Sequence, residues 1–132
     1  MFFFKGQLYE SGGKYKKSKF GRRVEENFET QFDEVQELAD EYFAEGADYY
    51  INEKGETLFY VLTYRERKII EFSEDLKKQK EIVIDNRIRE GWGLTHDPEV
   101  NNGIYYISDG SENIFECDVK QDFKILRIHK VS

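Results

Sequence analysis

One cysteine, one proline, one tryptophan and two histidines occur in the 132 residues, and each scarcity closes off a class of explanation. A single Cys117 excludes an intrachain disulfide and cannot build a Cys-based metal cluster. No H-x-E, C-x-x-C or H-E-x-x-H spacing is present, so no His/Cys metal site and no metal or organic cofactor is expected. Gly12-Gly13 lacks the Gly-Lys-Ser continuation of a phosphate loop. Positive charge is also short: 20 Lys and Arg stand against 27 Asp and Glu, a net charge of −7. A surface that tracks nucleic-acid phosphates needs concentrated positive charge, so no nucleic-acid partner is expected. The densest basic stretch, Lys14-Tyr15-Lys16-Lys17-Ser18-Lys19 with Arg22 and Arg23, reads as a solvated loop. Long apolar runs are missing. Met1-Phe2-Phe3-Phe4-Lys5 is far too short for a membrane span or a signal-peptide core, so neither a signal peptide nor a membrane segment is expected in this chain.

What is abundant is aromatic: 9 Tyr and 11 Phe bring the aromatic content, with the tryptophan, to 16%. Such residues fit a pleated, half-buried surface and lean the chain towards sheet. Self-comparison shows how the sheet is laid out. Glu45-Gly46 recurs as Glu90-Gly91, 45 residues on. In each copy a short strand-like stretch follows, and then a polar turn, Asn52 to Gly55 or Asn101 to Gly103. Next come an apolar strand, Leu58 to Leu62 or Ile104 to Ile107, and a third strand, Lys68 to Ser73 or Asn113 to Asp118. A fourth closes each unit, Lys80 to Ile84 or Lys124 to Ile128. Four short strands in about 45 residues is the size of one propeller blade. An earlier copy is expected before residue 41, with strands at Gln7 to Ser11, Phe20 to Glu25 and Phe32 to Leu38. Asp33 to Glu45 also has helical spacing, through Val35, Leu38, Ala39 and Tyr42, but the repeat favours strand and turn. The fold class is therefore all-β: a single domain forming a partial β-propeller of roughly three four-stranded antiparallel blades, at about 1–40, 41–86 and 87–132. An unclosed array leaves strand edges and sheet faces bare, for a partner chain completing the ring or for more polypeptide to cover.

Four segments in order resemble the glutaminyl-peptide cyclotransferases of plants and bacteria: Gly6 to Gly13, Leu62 to Glu66, Arg89 to Asp97 and Ser108 to Ser111. That family reads LYEST-G, LTWRE, GEGWGL and SDGS at these places. The resemblance implies a five-bladed propeller, often in secretory proteins, that converts the N-terminal glutamine of peptides to pyroglutamate and releases ammonia. The chain departs from the pattern at Tyr64, where the family has Trp, and at Gly12, where it has Thr. The family's FTQGL-like and NELE-like segments, which help to form its pocket, have no counterpart in these residues. The resemblance thus implies a cyclotransferase or, as the alternative, a non-catalytic propeller fragment serving as a scaffold or as a subunit of a larger assembly.

Such a cyclisation needs a carboxyl group that can take a proton from the attacking amine and return it to the leaving nitrogen, with a pKa raised by burial. Glu10 is the catalytic candidate: alternation along Leu8-Tyr9-Glu10-Ser11 puts it on the face of Leu8, where a carboxylate needs a reason. A buried Glu paired with Arg or Lys, or an exposed edge position, would also fit. Trp92, flanked by Gly91 and Gly93 and expected in the first strand of its unit, is the candidate wall of the substrate site, with core filling as the alternative. Tyr64 could supply a second aromatic wall. Arg65 and Glu66 read as an ion pair or a contact between blades, Asp109-Gly110-Ser111 as a turn, and Cys117 as a buried thiol. His96 with Asp97, and His129, suggest no site, since neighbours on a strand point to opposite faces.

Overall fold

A computed structural model describes residues 2–5, 7–12, 19–24, 31–37, 44–63, 67–100 and 102–131. The strands are β1 (Phe2–Phe4), β2 (Gln7–Gly12), β3 (Lys19–Val24), β4 (Gln31–Glu37), β5 (Ala44–Ile51), β6 (Thr57–Thr63), β7 (Lys68–Ser73), β8 (Lys78–Val83), β9 (Gly93–Thr95), β10 (Ile104–Ser108), β11 (Asn113–Asp118) and β12 (Lys124–Lys130). A 3₁₀ turn at Val119–Gln121 is the one helical element among the described residues. The strands form three four-stranded antiparallel sheets, β1 to β4, β5 to β8 and β9 to β12, each a plain meander in chain order. In the second sheet, short polar turns such as Asn52 to Glu56 and Glu74 to Lys77 account for this connectivity, because a tight turn returns the chain antiparallel to its neighbour. The all-β, four-stranded antiparallel expectation holds. The ends of the ambiguous stretch Asp33 to Glu45 that are described, in β4 and β5, are strand.

Strand β6 shows why sequence and packing agree. Thr57-Leu58-Phe59-Tyr60-Val61-Leu62-Thr63 is nearly continuous in apolar residues, and its last five residues are buried. A strand with one wet face would alternate; this one is covered on both. Phe59 and Val61 join Ile70, Phe72, Leu76 and Phe4 in one core, on the side of the first sheet. Tyr60 and Leu62 join Tyr105, Ile107, Phe115 and Phe123 in a second core, between the second and third sheets. Fully burying such a side chain contributes about 2 to 3 kcal/mol. Ring contacts tie the layers: Phe4 meets Phe59 edge-on at 5.7 Å, and Tyr60 meets Phe123 at 5.0 Å.

The first strands of the units gather at one side, with β5 lying against β9 and also against β1 and β2. The fourth strands, β8 and β12, form the opposite edges of their sheets. Lysines at 78, 80, 124 and 130 stud them, and charge on an exposed edge opposes pairing with another chain. The turn between β5 and β6 is closed by Asn52, whose side-chain oxygen accepts from the Lys54 and Glu56 amides at 3.0 and 2.9 Å.

Candidate functional site

The connection from β8 to β9 is pinned along its length. Ile84 N–H donates to the Arg67 carbonyl at 3.0 Å, and fully buried Ile88 anchors the middle. Asp85 accepts from the Arg87 amide at 2.9 Å and from its guanidinium at 3.0 and 2.8 Å. The Arg87 guanidinium holds the Asp85 carboxyl down at about 2. Arg89 N–H donates to buried Asp109 at 3.3 Å, and Trp92 N–H to the Ser108 carbonyl at 3.0 Å.

Gly91 is there for space. A Cβ on it would lie 2.0 Å from the Thr63 carbonyl oxygen and 2.6 Å from Leu62 Cγ, so only glycine lets the connection seat on the end of β6. Gly110 needs glycine twice over: its φ is +80°, and a Cβ would fall 2.6 Å from the Trp92 ring. The indole thus lies on the turn between β10 and β11. It keeps 53% exposure, and its Nε1–H donates to Glu90 at 3.2 Å. Trp92 is a rigidly mounted, open aromatic surface. It does not fill the core. It also precedes β9, contrary to the expectation of a strand position, because seating Gly91 on β6 delays the ladder until Gly93 pairs with Ser108.

Glu10 lies in β2 opposite Gly21 of β3, one residue beyond the pair that Tyr9 makes with Phe2. Tyr64, Arg65 and Glu66 fall outside the described residues, as does the Lys14 to Ser18 stretch. Thr63, which precedes Tyr64, presents the carbonyl on which Gly91 rests. The strand of Glu10 and the connection of Trp92 are related through β5, which touches both β2 and β9.

Sequence reasoning missed a buried polar cluster at the seam of β5 and β9. His96 Nδ1 lies 2.5 Å from an Asp48 carboxylate oxygen, and both side chains are nine-tenths buried or more. The imidazole stands edge-on to Tyr49 at 4.8 Å and tilted over Tyr105 at 5.0 Å, while the Tyr105 hydroxyl donates to the Tyr49 carbonyl. Burial, and next the Asp48 charge, push the Tyr105 phenol up. A signal was present: Asp48 interrupts Ala47-Asp48-Tyr49-Tyr50-Ile51, and a buried carboxylate requires a partner. His129, by contrast, pairs with Glu116 at 2.9 Å on an exposed face. Among the described residues no group of His, Cys, Asp and Glu could hold a metal ion, and no helix is long and apolar enough to cross a membrane.

The family model for glutamine cyclotransferases matches residues 1–132. The chain belongs to the glutamine cyclotransferase family. This is the family that the four segments resemble. Among solved structures, the chain is similar to the glutaminyl cyclase of Myxococcus xanthus, at 23% identity and a TM-score of 0.74. That match covers 97% of this chain and 48% of the other, so the chain spans about half the length of that relative. It is also similar to the dihydro-heme d1 dehydrogenase NirN, at 14% identity and a TM-score of 0.62, covering 98% of this chain and 27% of that one. These likenesses show a shared fold. No curated protein matches the sequence.

Within this glutamine cyclotransferase chain, Asp109-Gly110-Ser111 is a turn, and it also forms a wall. The Asp109 carboxylate accepts from the Ser111 amide at 3.0 Å and from its hydroxyl, besides holding Arg89. Beside it opens a cleft of about 460 Å³ lined by Asn86, Arg87, Arg89, Asp109, Ser111 and Asn113 among others. Cys117 is fully buried, and burial pushes its thiol up to about 12, so it is no nucleophile at neutral pH.

Proposed function

We propose that this glutamine cyclotransferase chain supplies part or all of a site that cyclises the N-terminal glutamine of peptides. In this reading the three sheets are blades of a β-propeller, about 1–40, 41–86 and 87–132. The first strands of the blades line its axis, and Glu10, Tyr64 and Trp92 serve one site. The match to the family over residues 1–132 carries the reading. The open, fixed indole of Trp92 supports it.

The chemistry follows from the substrate. The free α-amine attacks the side-chain carboxamide carbon, a C–N bond forms and closes a five-membered ring, and the C–NH₂ bond breaks to release ammonia. Because nucleophile and electrophile belong to one residue, holding that residue bent meets most of the orientational cost. Trp92, with Tyr64, would grip the methylene stem and exclude water. The Glu10 carboxylate would take the proton that the amine sheds and hand it to the departing nitrogen. Such positioned proton transfer contributes about 10² to 10⁴ in rate.

The test is ammonia release from a Gln-initiated peptide by the purified chain and by Glu10→Gln. Turnover that the substitution abolishes supports the reading. A second reading, a non-catalytic piece whose ring is completed by a partner chain or by further polypeptide, is favoured by the chain spanning 48% of the Myxococcus enzyme. A folded protein without turnover would favour that reading.

A further inference from the structure

The cleft beside Trp92 has no part in ring closure, yet one of its charged side chains is left unpaired. Arg87 is spent on Asp85, at 2.8 Å. Glu112, also in the lining, pairs with Lys130 at 3.2 Å. Both carboxylate oxygens of Asp109 accept bonds from its own wall. Of the cleft's charged groups, only the Arg89 guanidinium lacks a partner among the described residues, and its side chain is exposed. The formal charges of the lining balance, two arginines against Asp109 and Glu112, but the Asp109 charge is buried and covered by neutral donors, which leaves Arg89 as the exposed and unbonded one. The Asn86 and Asn113 side-chain amides form no bond to a described residue, and each offers a donor and an acceptor. An unspent guanidinium and two such amides suit an extended peptide that carries a carboxylate.

Position supplies the rest. Arg89 is three residues from Trp92, hence at most about 11 Å away along the chain. A substrate whose first residue lies on the indole would bring its second to fourth residues past the cleft, at about 3.3 Å each. The wall is preformed, since Asp109 fixes the Arg89 backbone and Gly110 fixes the indole. We propose that this cleft is a subsite for the residues following the substrate's first, and that Arg89 selects peptides with an acidic side chain there. The inference rests on the peptide-binding role proposed for Trp92.

Because Trp92 is the chain's single tryptophan, its emission reports occupancy of this corner directly. Gln-initiated peptides with Glu, Ala or Lys at the third position would be titrated immediately after mixing, against the wild type, Arg89→Gln and Arg89→Lys. The expected result is a two- to five-fold lower Kd for Glu than for Lys, the range of an exposed ion pair. That preference should shrink at high salt, be lost in Arg89→Gln and be kept in Arg89→Lys. Equal Kd values in the wild type, or a preference that survives Arg89→Gln, would overturn the subsite. Ala-initiated counterparts separate the two claims. If they bind as well as Gln-initiated peptides and the acidic preference remains, the cyclotransferase reading fails and the subsite stands.

Discussion

Replacing Gly91 by alanine tests whether the Trp92 connection is seated where the structure puts it. The new Cβ would lie 2.0 Å from the Thr63 carbonyl oxygen. A carbon–oxygen contact normally needs roughly 3.3 Å, so something must retreat by about 1 Å. Thr63 cannot retreat easily. Its hydroxyl donates to the Lys68 carbonyl at 2.8 Å and accepts from the Lys68 amide at 3.1 Å, and the neighbouring Leu62 is fully buried. Overpacking of this kind costs about 1 to 3 kcal/mol. Gly91 is not in the left-handed region. Without a clash, the substitution would therefore stabilise the protein by about 0.4 to 1 kcal/mol, through the unfolded chain. The sign of the effect decides. Urea unfolding followed by circular dichroism should show a midpoint lowered by about 1 M, taking a slope of about 1.5 kcal/mol per M. Gly93→Ala is the control: its Cβ meets only the Ser108 hydroxyl, at 2.9 Å, which can rotate. A Gly91→Ala midpoint equal to or above the wild-type value would refute the seating of the connection.

His96→Ala should cost about 2 to 4 kcal/mol, because it strands the buried Asp48 carboxylate. The double variant with Asp48→Ala should be less damaged than His96→Ala alone, and urea midpoints check both. Trp92→Ala should leave stability within about 1 kcal/mol, since the ring is half exposed, while raising the KM for a Gln-initiated peptide about tenfold. Alkaline stability should depend on Cys117. Its folded pKa is raised above the unfolded value, so its contribution is complete below about pH 8.5 and declines as pH rises towards about 12. The slope should be at most about 1.4 kcal/mol per pH unit and should lessen in Cys117→Ala, as read from urea unfolding at pH 8 to 10.5.

The third strands of the second and third sheets, Lys68–Ser73 and Asn113–Asp118, coincide with the sequence expectation because flanking turns and the repeat bound them on both sides. Of the fourth strands, β8 begins two residues before its expected start and stops one short of its expected end, and β12 runs two residues past its end, since edge strands rich in Lys carry little periodicity. Trp92 was placed in a strand because nothing local says that Gly91 must lie on the Thr63 carbonyl. The Asp48–His96 pair joins residues 48 apart, one in β5 and the other just past the end of β9, a distance that no local period reports. Its only trace was a carboxylate within an apolar strand. The Arg89 to Asp97 and Ser108 to Ser111 motifs were legible because they include a connection and a turn, where close backbone and ring approach demands Gly91 and Gly110.

The most direct measurement compares the wild type with Glu10→Gln on one Gln-initiated peptide, following ammonia and Trp92 emission together. If carboxylate and indole serve one site, the peptide alters the emission of both proteins, and only the wild type releases ammonia. Ammonia formed equally by both, or an indole that no Gln-initiated peptide perturbs, would contradict the assignment.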